Sequence, residues 1–489
     1  MRGLSLALTA LGLGLATPLL AEPSPSVQVQ VEAALAAAPK GTRFGLLVVD
    51  DAGKVIVSIN PDQRFIPASN TKMFTTAAAY ALLPGMDQPD VAGGTRIAFA
   101  HSDRAEMPPT VYLLGRGDAR MSSAADCRSD CLASLADAVA GKTNWVHDVI
   151  GDDSLWPGQR WSPGMSWNNI GTDDGTAASA LNLDDNQIAV AVSPGQAGQA
   201  PTVSMPPYFT LRNEAATGPA GSPTSLSIER GLNGTELRLY GSIPIGAAPW
   251  TTHIGVDDPA HYAAWTLRRL LEARGVKVTG TVRVLHRPTG LDDRVSDPAN
   301  RIAPVVIQDR SFAALTPPPL AEDVVILNKV SQNLHAQVLF HRLGDIWGTG
   351  SNDWSVKAEQ DLFEKAGIPR EGYDFSDGSG MSTYNRVSPR AAVALLRWID
   401  TQPWGKAWYA SLPIAGVDGT LKRRFIGTPL ENNLIAKTGT LNATNALSGT
   451  FRAASGKRLT FAFFANDVPD GQTVLPAMES VLLGIAASN

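Results

Sequence analysis

The tetrapeptide Ser69-Asn70-Thr71-Lys72 opens a stretch, Asn70 to Leu83, that is rich in Ala, Met and Leu and contains neither Gly nor Pro. Such a stretch predicts an α-helix with Ser69 at its start. A residue three positions further on lies on the same face one turn later, which brings the Lys72 amine towards the Ser69 hydroxyl. Because a serine hydroxyl is a poor nucleophile near neutral pH, it needs a base within hydrogen-bond reach. The tetrapeptide therefore predicts a nucleophile and its base.

Two more motifs follow in order, Ser331-Gln332-Asn333 and Lys437-Thr438-Gly439. Alone, each has an ordinary explanation, because a Ser-x-x-Lys pattern occurs about twice by chance in a chain of this length and usually marks a helix cap with a solvated lysine. The second motif lies in Val325 to Arg342, which has helical apolar spacing, and the third lies on a predicted strand. Together and in this order they indicate a serine acyl-transferase.

Each motif residue has a chemical reason to be there. Burial, the positive end of a helix and a second cation at Lys437 would lower the pKa of Lys72, so that its amine can accept a proton. Ser331 is expected to relay a proton between Lys72 and a leaving amine. The Asn333 amide can donate to and accept from a substrate peptide bond.

The third motif predicts a substrate-binding strand. Lys437 and Gly439 share one face of it, and Thr438 and Thr440 share the other. The Lys437 ammonium and the nearby hydroxyls suit a terminal carboxylate, while the missing side chain at Gly439 would let a substrate approach the strand edge. Backbone N–H groups of Ser69 and Thr440 are expected to form an oxyanion hole.

Composition limits the class of protein. The chain has 489 residues, 44% apolar and 18% charged, with a formal charge of −5. This length predicts more than one domain, and the charge gives no reason to expect nucleic acid as a partner. Residues 1–21 have the pattern of a secretory signal peptide; an uncleaved anchor helix is the alternative, and no other segment is long and apolar enough to span a membrane.

Export would place the mature chain in an oxidising compartment, where Cys127 and Cys131 have the opportunity to pair. Spacing of four residues suits a disulfide only where the backbone is not a regular helix, so the pairing stays open. No catalytic role is assigned to either cysteine.

Strand patterns divide the chain. Phe44 to Asp50 and Val55 to Asn60 predict a hairpin, and Asn433 to Leu441, Ala446 to Ala453 and Arg458 to Ala465 predict three more strands, followed by a helix at Val474 to Ala487. The simplest arrangement is one antiparallel sheet with helices on its faces, an α+β fold. We predict a discontinuous domain of residues 22–90 and 301–489, interrupted by residues 91–300.

The interrupting block has a different texture, with short β-like runs and many Gly and Pro residues, and is predicted to be a large β-rich inserted domain. One helix is clear in it, Pro259 to Arg274 after the cap Asp258, and Lys277 to Leu285 predicts a strand. The loop-rich part at about residues 190–245 is a possible subdomain.

Longer segments carry a family resemblance. Pro67-Ala68-Ser69-Asn70-Thr71-Lys72, Gly151-Asp152-Asp153-Ser154, Asp377-Gly378-Ser379-Gly380-Met381-Ser382, Asn385-Arg386-Val387-Ser388-Pro389 and Gly419-Thr420-Leu421 resemble segments of D-alanyl-D-alanine carboxypeptidase/endopeptidases. The 262 positions between Ser69 and Ser331 are typical of the class C low-molecular-mass penicillin-binding proteins among the penicillin-recognising, β-lactamase-like serine peptidases. One departure is Gln332, where many relatives have an acidic residue.

The resemblance implies a periplasmic enzyme that acts on peptidoglycan stem peptides ending in D-Ala-D-Ala, or on cross-links between them, through an acyl-enzyme on Ser69. It implies that β-lactam antibiotics acylate the same serine covalently and leave slowly. No cofactor is implied, and no transmembrane anchor after signal cleavage. The resemblance assigns no job to the insert, and it leaves open the balance between carboxypeptidase and endopeptidase activity.

Other residues and functions compete with this interpretation. No His-Glu-x-x-His motif occurs, and His335 and His341 are expected to pack in or on a helix, so no metal is predicted. Trp156, Trp161 and Trp167 are expected to anchor core or loops, with stacking on wall sugars as the alternative. A β-lactamase or esterase on the same scaffold, and a wall-binding protein that has lost turnover, are the competing functions.

Overall fold

The computed structural model describes residues 25–101, 107–296 and 310–489. The predicted signal peptide, residues 1–21, lies outside these ranges. Within them, no helix combines the length and the apolar character needed to cross a bilayer.

The helices and strands of the described residues are numbered in chain order. The helices are α1 Pro25–Ala36, α2 Thr71–Leu82, α3 Leu132–Ala140, α4 Pro259–Ala273, α5 Leu320–Val330, α6 Asn333–Asp345, α7 Asn352–Lys365, α8 Pro389–Asp400, α9 Gly405–Ser411 and α10 Leu475–Ser488. The strands are β1 Arg43–Asp50, β2 Val55–Ile59, β3 Arg96–Ala100, β4 Thr110–Leu114, β5 Trp145–Val146, β6 Val149–Pro157, β7 Gln187–Ser193, β8 Thr202–Ser204, β9 Thr210–Asn213, β10 Ala216–Gly218, β11 Ser227–Arg230, β12 Glu236–Tyr240, β13 Ser242–Pro244, β14 Trp250–Gly255, β15 Lys277–Val278, β16 Val282–Arg287, β17 Ala313–Ala314, β18 Tyr373–Asp374, β19 Arg386–Val387, β20 Ile435–Leu441, β21 Thr444–Arg452 and β22 Arg458–Asn466.

Both ends of the described chain build one antiparallel sheet, in the order β2-β1-β22-β21-β20. β1 pairs with β22 along its whole length, from Arg43 opposite Asn466 to Asp50 opposite Leu459. The hairpin β1–β2 and the three C-terminal strands were all predicted from the sequence. The central sheet therefore joins segments that lie more than 400 positions apart in the chain.

Alternation along the strands gives this sheet two buried faces. On β1, Leu46 and Val48 pack into a core with α1 and α10, while Leu47 and Val49 pack into a second core with α2 and α8. Successive side chains of a strand point to opposite faces, so a strand buried on both faces has an unbroken apolar run. Helices cover both faces, as an α+β arrangement requires.

The middle of the chain has its own core. Its largest sheet, β16-β6-β4-β3-β17, mixes parallel and antiparallel pairs. Helices α3 and α4 contribute buried residues to the same core, among them Leu135 of α3 and Leu267 of α4. Helix α4 begins as predicted, with the Asp258 carboxylate accepting a hydrogen bond from His261 N–H. Cys127 and Cys131 form a disulfide just before α3.

Three details differ from the sequence predictions. The strand predicted at Lys277 to Leu285 is two strands, β15 and β16, because each pairs with a different strand, β5 and β6, and the break between those two strands is matched by a break at Gly280. Helices α1, α3, α7, α8 and α9 and the short strands β18 and β19 were not predicted. β17 pairs with β3, so residues 313–314 belong to the middle sheet although they follow residue 300. The division into domains itself stays a prediction.

Candidate active site

Ser69 lies in a single 3₁₀ turn, Ala68–Asn70, that leads into α2. The turn is held between two glycines. A Cβ at Gly439 of β20 would lie 2.7 Å from the carbonyl oxygen of Pro67, and one at Gly380 would lie 1.9 Å from that of Ala68. Real Cβ atoms do not approach so closely, so both positions need glycine. The sequence interpretation of Gly439 is corrected accordingly: the space beside it is filled by the Ser69 turn.

Lys72 is fully buried and reaches back to the nucleophile. Its Nζ lies 2.9 Å from Ser69 Oγ, 2.6 Å from Asn333 Oδ1 and 2.5 Å from the carbonyl oxygen of Ser379. Burial lowers the pKa of Lys72 to about 7, against the opposing pull of Asp377 and Asp174. Near neutral pH a large fraction of this amine is therefore unprotonated and can accept the serine proton.

Ser331 lies at a turn within the stretch Val325 to Arg342, whose helical spacing continues on both sides of it. Helix α5 ends at Val330, Ser331 has φ of 65°, and α6 begins at Asn333. The left-handed backbone at Ser331 turns the chain between the two helices. The Gln332 side chain accepts a hydrogen bond from Leu334 N–H and caps α6.

Asn333 connects the base to the middle of the chain. Its Oδ1 accepts the hydrogen bond from Lys72. Its Nδ2 donates to the carbonyl oxygen of Asp174, at 3.0 Å, and to Asp174 Oδ1, at 3.3 Å. The amide is thus oriented from both sides before any substrate is bound.

Lys437 forms a second amine–hydroxyl pair. Its Nζ lies 2.9 Å from Ser331 Oγ and 3.1 Å from the carbonyl oxygen of Thr438. Burial lowers its pKa well below the usual value, and the nearby Lys72 adds to this effect. No hydrogen bond joins Ser331 to Lys72 among the described residues, so the relay expected from the sequence is not formed directly in this state.

The remaining motif residues border one open cleft of about 1180 Å³. Its walls include Ser69, Ser331 and Asn333 on one side and Thr438, Gly439 and Thr440 of β20 on the other. Lys72 and Lys437 lie beneath the cleft, fully buried. The structure therefore gathers all eight predicted site residues, six on the surface of the cleft and two below it.

Sequence reasoning assigned no role to the carboxylate of Asp377. It accepts hydrogen bonds from Ser379 Oγ and from the N–H groups of Gly380 and Ser382, and from the Asn385 amide. This loop presents the Ser379 carbonyl to Lys72. Asp377 and Asn385 lie in segments that carry the family resemblance, but nothing in their local pattern indicates this role.

A buried imidazole next to the site was also missed. His335 Nδ1 contacts Asp323 Oδ1 of α5 at 2.5 Å, and its Nε2 contacts Asp185 Oδ1 of the middle block at 2.9 Å. Its two carboxylate partners outweigh burial and raise the pKa of His335 to about 10. Asp184, Asp185 and Asn186 all have positive φ, so a strained turn brings Asp185 to this contact.

The tryptophans have different environments. Trp156 is buried, stacks on His341 and donates from Nε1 to Asp345 at 2.7 Å, and Trp161 donates to the carbonyl oxygen of Gly175 at 3.0 Å. Both serve as anchors, as expected. Trp167 is 71% exposed.

The sequence of the chain matches one known protein family. The sequence profile of the D-Ala-D-Ala carboxypeptidase 3 (S13) family matches residues 27–487. The chain belongs to this family. Membership confirms the predicted resemblance and makes the enzyme a serine D-Ala-D-Ala carboxypeptidase.

Individual S13 relatives are distant but match over most of their length. The chain is 31% identical to the D-alanyl-D-alanine carboxypeptidase of Actinomadura sp. (strain R39), over 92% of this chain and 82% of the relative. It is 23% identical to D-alanyl-D-alanine carboxypeptidase DacB of Haemophilus influenzae, over 88% of this chain and 87% of that relative. The crystal structure of penicillin binding protein 4 (dacB) from H. influenzae has a TM-score of 0.75 and 21% identity, covering 93% of this chain and 97% of that one. The predicted fold class is thereby confirmed.

Proposed function

We propose that this S13 enzyme is a periplasmic DD-peptidase that cleaves D-Ala-terminated peptidoglycan stem peptides through an acyl-enzyme on Ser69. The observation that carries the proposal is the Lys72 Nζ–Ser69 Oγ contact of 2.9 Å at the edge of an open cleft. The lowered pKa of Lys72, about 7, agrees with its use as the base. The Asn333 and Ser379 contacts hold the amine in place.

The chemistry proceeds in two steps. Ser69 Oγ attacks the carbonyl carbon of the D-Ala–D-Ala bond as its proton passes to Lys72, and the backbone N–H groups of Ser69 and Thr440 stabilise the oxyanion. The C–N bond then breaks, and the leaving amine takes, through the Ser331 hydroxyl, the proton that Lys72 accepted. Water next loses a proton to Lys72 and attacks the ester carbonyl, the C–O bond to Ser69 breaks, and Lys72 returns the proton to Ser69 Oγ, which frees the shortened peptide.

Recognition of the terminal carboxylate is assigned to β20. Thr438 faces the cleft, and its hydroxyl pairs with that of Thr420 at 2.6 Å. Lys437 is buried beneath the cleft with its Nζ 2.9 Å from Ser331 Oγ, so its influence on a carboxylate passes through the Ser331 hydroxyl. Thr438 and Thr440 of β20 border the cleft, and β20 is the last strand of its sheet, so an extended substrate has a strand edge to lie along.

The proposal includes covalent inhibition by β-lactam antibiotics at Ser69. A crystal structure of penicillin binding protein 4 from H. influenzae, with a TM-score of 0.71 to this chain, is of a complex with a novel β-lactam. Placement in the periplasm depends on the signal-like leader at residues 1–21.

A fluorescent penicillin tests the proposal. Wild-type mature protein should become covalently labelled, Ser69→Ala should not, and Lys72→Arg should label at a small fraction of the wild-type rate because a guanidinium does not deprotonate. Labelling of Ser69→Ala would refute Ser69 as the nucleophile. The lifetime of the penicilloyl-enzyme separates this function from a β-lactamase, which would release the label rapidly.

Substrate assays then define the activity. Release of D-alanine from a peptide ending in D-Ala-D-Ala is the carboxypeptidase reaction, and cleavage of a cross-linked stem-peptide dimer is the endopeptidase reaction. Labelling without release of product from either substrate would favour a wall-binding protein without turnover.

A further inference from the structure

A second cavity, of about 430 Å³, lies in the middle block, away from the motifs of the active site. It is bordered by the loop before β9, the loop between β11 and β12, and the first turns of α4. This volume lies within the roughly 300–1,000 Å³ typical of small-molecule sites. Nothing in the proposed peptidase chemistry uses it.

Fixed charged groups form its polar wall. Arg230, with a side chain 2% exposed, makes two contacts of 2.6 Å with the Asp257 carboxylate. Arg160 lies 3.0 Å from Asp258 and donates to the carbonyl oxygen of Asp257 at 2.7 Å. The Nε of Arg230 is buried without a hydrogen-bond partner among the described residues. The groups are thus held in place with a donor still unsatisfied.

The charges of this wall balance. Two guanidinium groups face two carboxylates, and burial lowers the pKa of the neighbouring His261, which is therefore neutral at pH 7. A strongly charged ligand of either sign would meet like charges at close range. An uncharged ligand with many hydroxyl groups would not, and it would have both donors and acceptors to bind.

Aromatic rings form the other wall. Tyr208 and Trp265 meet edge to face, with ring centroids 5.3 Å apart, and the Tyr208 hydroxyl lies 3.0 Å from His261 Nδ1. The guanidinium carbon of Arg269 lies 4.9 Å from the centroid of the Trp265 ring, and this contact restricts the movement of the ring. Rigid rings beside fixed polar groups suit a ligand with one apolar and one polar side, such as a sugar ring.

Arg160 connects this cavity to the active site. It also borders a small cavity of about 30 Å³ whose lining includes Asn333, Asp174 and Met381. An extended peptide covers about 3.3–3.6 Å per residue. The sugar lies at the far end of a stem peptide whose D-Ala end is at Ser69, and Arg160 borders both the second cavity and the small cavity beside Asn333.

We propose that the cavity between Tyr208, Trp265 and Arg230 binds a neutral sugar unit of the glycan strand that carries the stem peptide. This inference rests on the proposed function for the choice of glycan. It gives the middle block a role in choosing peptides that are attached to the wall over free ones.

Binding is tested on the mature Ser69→Ala protein, so that turnover plays no part. The probe is tri-N-acetylchitotriose, a neutral β-1,4-linked trisaccharide, titrated by calorimetry or by NMR. We expect saturable binding that Trp265→Ala weakens by about tenfold or more. Trp145→Ala is the matched control, because Trp145 lies in β5, outside the cavity and 45% exposed, and it should leave the affinity unchanged.

A second variant guards against misfolding of Trp265→Ala. Asn233 lies on an exposed loop at the rim of the cavity, and its φ is 53°. Because glycine adopts this backbone angle readily, Asn233→Gly removes the side-chain amide without straining the backbone. It should weaken binding several-fold while the thermal midpoint stays at the wild-type value. Absence of trisaccharide binding up to about 10 mM, or equal affinity in wild-type protein and folded variants, would overturn the inference.

A turnover assay separates this inference from the proposed function. Trp265→Ala in the active enzyme should raise KM for a stem peptide joined to a disaccharide and leave KM for the free peptide unchanged. An equal effect on both substrates would overturn the sugar site. Failure of the enzyme to cleave either substrate would count against the proposed function, while trisaccharide binding would still decide the site.

Discussion

The amine of Lys72 is governed by two opposing influences on its pKa. Burial removes the water that stabilises an ammonium ion, while Asp377 and Asp174 favour the charged form. The resulting pKa of about 7 keeps a useful fraction of the base neutral at physiological pH. A solvated lysine, with a pKa near 10.4, would be almost wholly protonated there.

This pKa predicts the pH dependence of acylation. The neutral amine is the active form, so the rate constant for penicillin acylation should be highest above pH 8, reach half its maximum near pH 7, and fall by about tenfold per pH unit below pH 6. Stopped-flow labelling with a fluorescent penicillin measures the profile. A rate independent of pH between 5 and 8 would contradict the role of Lys72.

Replacing Asp174 should move that profile. Asp174 raises the pKa of Lys72, so Asp174→Asn should shift the half-maximal rate to lower pH, while the new amide oxygen can still accept from Asn333. Asp173→Asn is the matched control, since it removes the adjacent carboxylate, which is not among the charges that act on Lys72. A shift to higher pH in Asp174→Asn would refute this electrostatic account.

Local chemistry made much of the site predictable. Ser69 and Lys72 are close because they are three positions apart at a helix start, and the alternation of β20 puts Lys437 and Gly439 on one face. The carboxylates of Asp174 and Asp185 were not assigned roles because each acts on residues far away in the chain, and the local hydrogen bonds of Asp377 matter only because they present the Ser379 carbonyl to the distant Lys72. Their positions depend on tertiary packing, which leaves no mark on the local pattern.

At the level of elements, the close approach of β20 to the Ser69 turn explains Gly439. A Cβ there would meet Pro67 O at 2.7 Å, Ala446 Cβ at 3.1 Å and Ala68 Cβ at 3.2 Å. The added methyl group would press on the Pro67 backbone on one side and on Ala446 of β21 on the other, and neither is free to move away. The contact sets the distance between the nucleophile and the substrate-binding strand.

Gly439→Ala should therefore displace the Ser69 turn from β20. We expect penicillin acylation to slow by about 100-fold or more, because misplacement of about 1 Å costs this much, with a modest loss of thermal stability. Gly484→Ala is the control: a Cβ at Gly484 of α10 meets nothing within 4 Å, so its acylation rate should be unchanged. Wild-type kinetics in Gly439→Ala would show that the turn can relax.

Elements with strong periodicity were predicted well, and breaks within them were not. The five strands of the central sheet, β2-β1-β22-β21-β20, and helices α2, α4 and α10 follow from their apolar patterns and flanking turn residues. The segment around Ser331 keeps helical spacing on both sides, so nothing in its pattern signals the left-handed residue between α5 and α6. Tertiary contacts of Ser331 with Lys437 and of Asn333 with Lys72 hold the two sides of that break in place.

Over the whole molecule, His335 joins the middle block to the motif-bearing part of the chain. One imidazole contacts Asp323 on one side and Asp185 on the other. Gln332 lies close enough to Asp185 to lower the pKa of that carboxyl. The middle block is thus attached beside Ser331 and Asn333, and one of its attachments depends on a charged histidine.

This attachment should weaken at high pH. The folded pKa of His335 is about 10, above the unfolded value near 6.5, so its stabilisation is full below pH 6.5 and is lost as pH rises to about 10. His335→Asn should lower the thermal midpoint strongly at pH 7 and much less at pH 10.

His341→Asn provides the comparison on the same helix. Burial lowers the pKa of His341 to about 4, so it is neutral throughout this range and the effect of its loss should be the same at pH 7 and pH 10. An equal drop in midpoint for His335→Asn at both pH values would show that the imidazole is not charged in the folded protein.

The pairing of β1 with β22 has a consequence for biosynthesis. A chain that leaves a ribosome or a secretion channel from its N-terminus exposes Ser69 early, yet the strands that complete the surrounding sheet end at Asn466. Such distant pairings form late and slowly. A nascent or prematurely terminated polypeptide consequently lacks β20 and the sheet that surrounds Ser69. It therefore has no complete active site with which to cleave peptidoglycan.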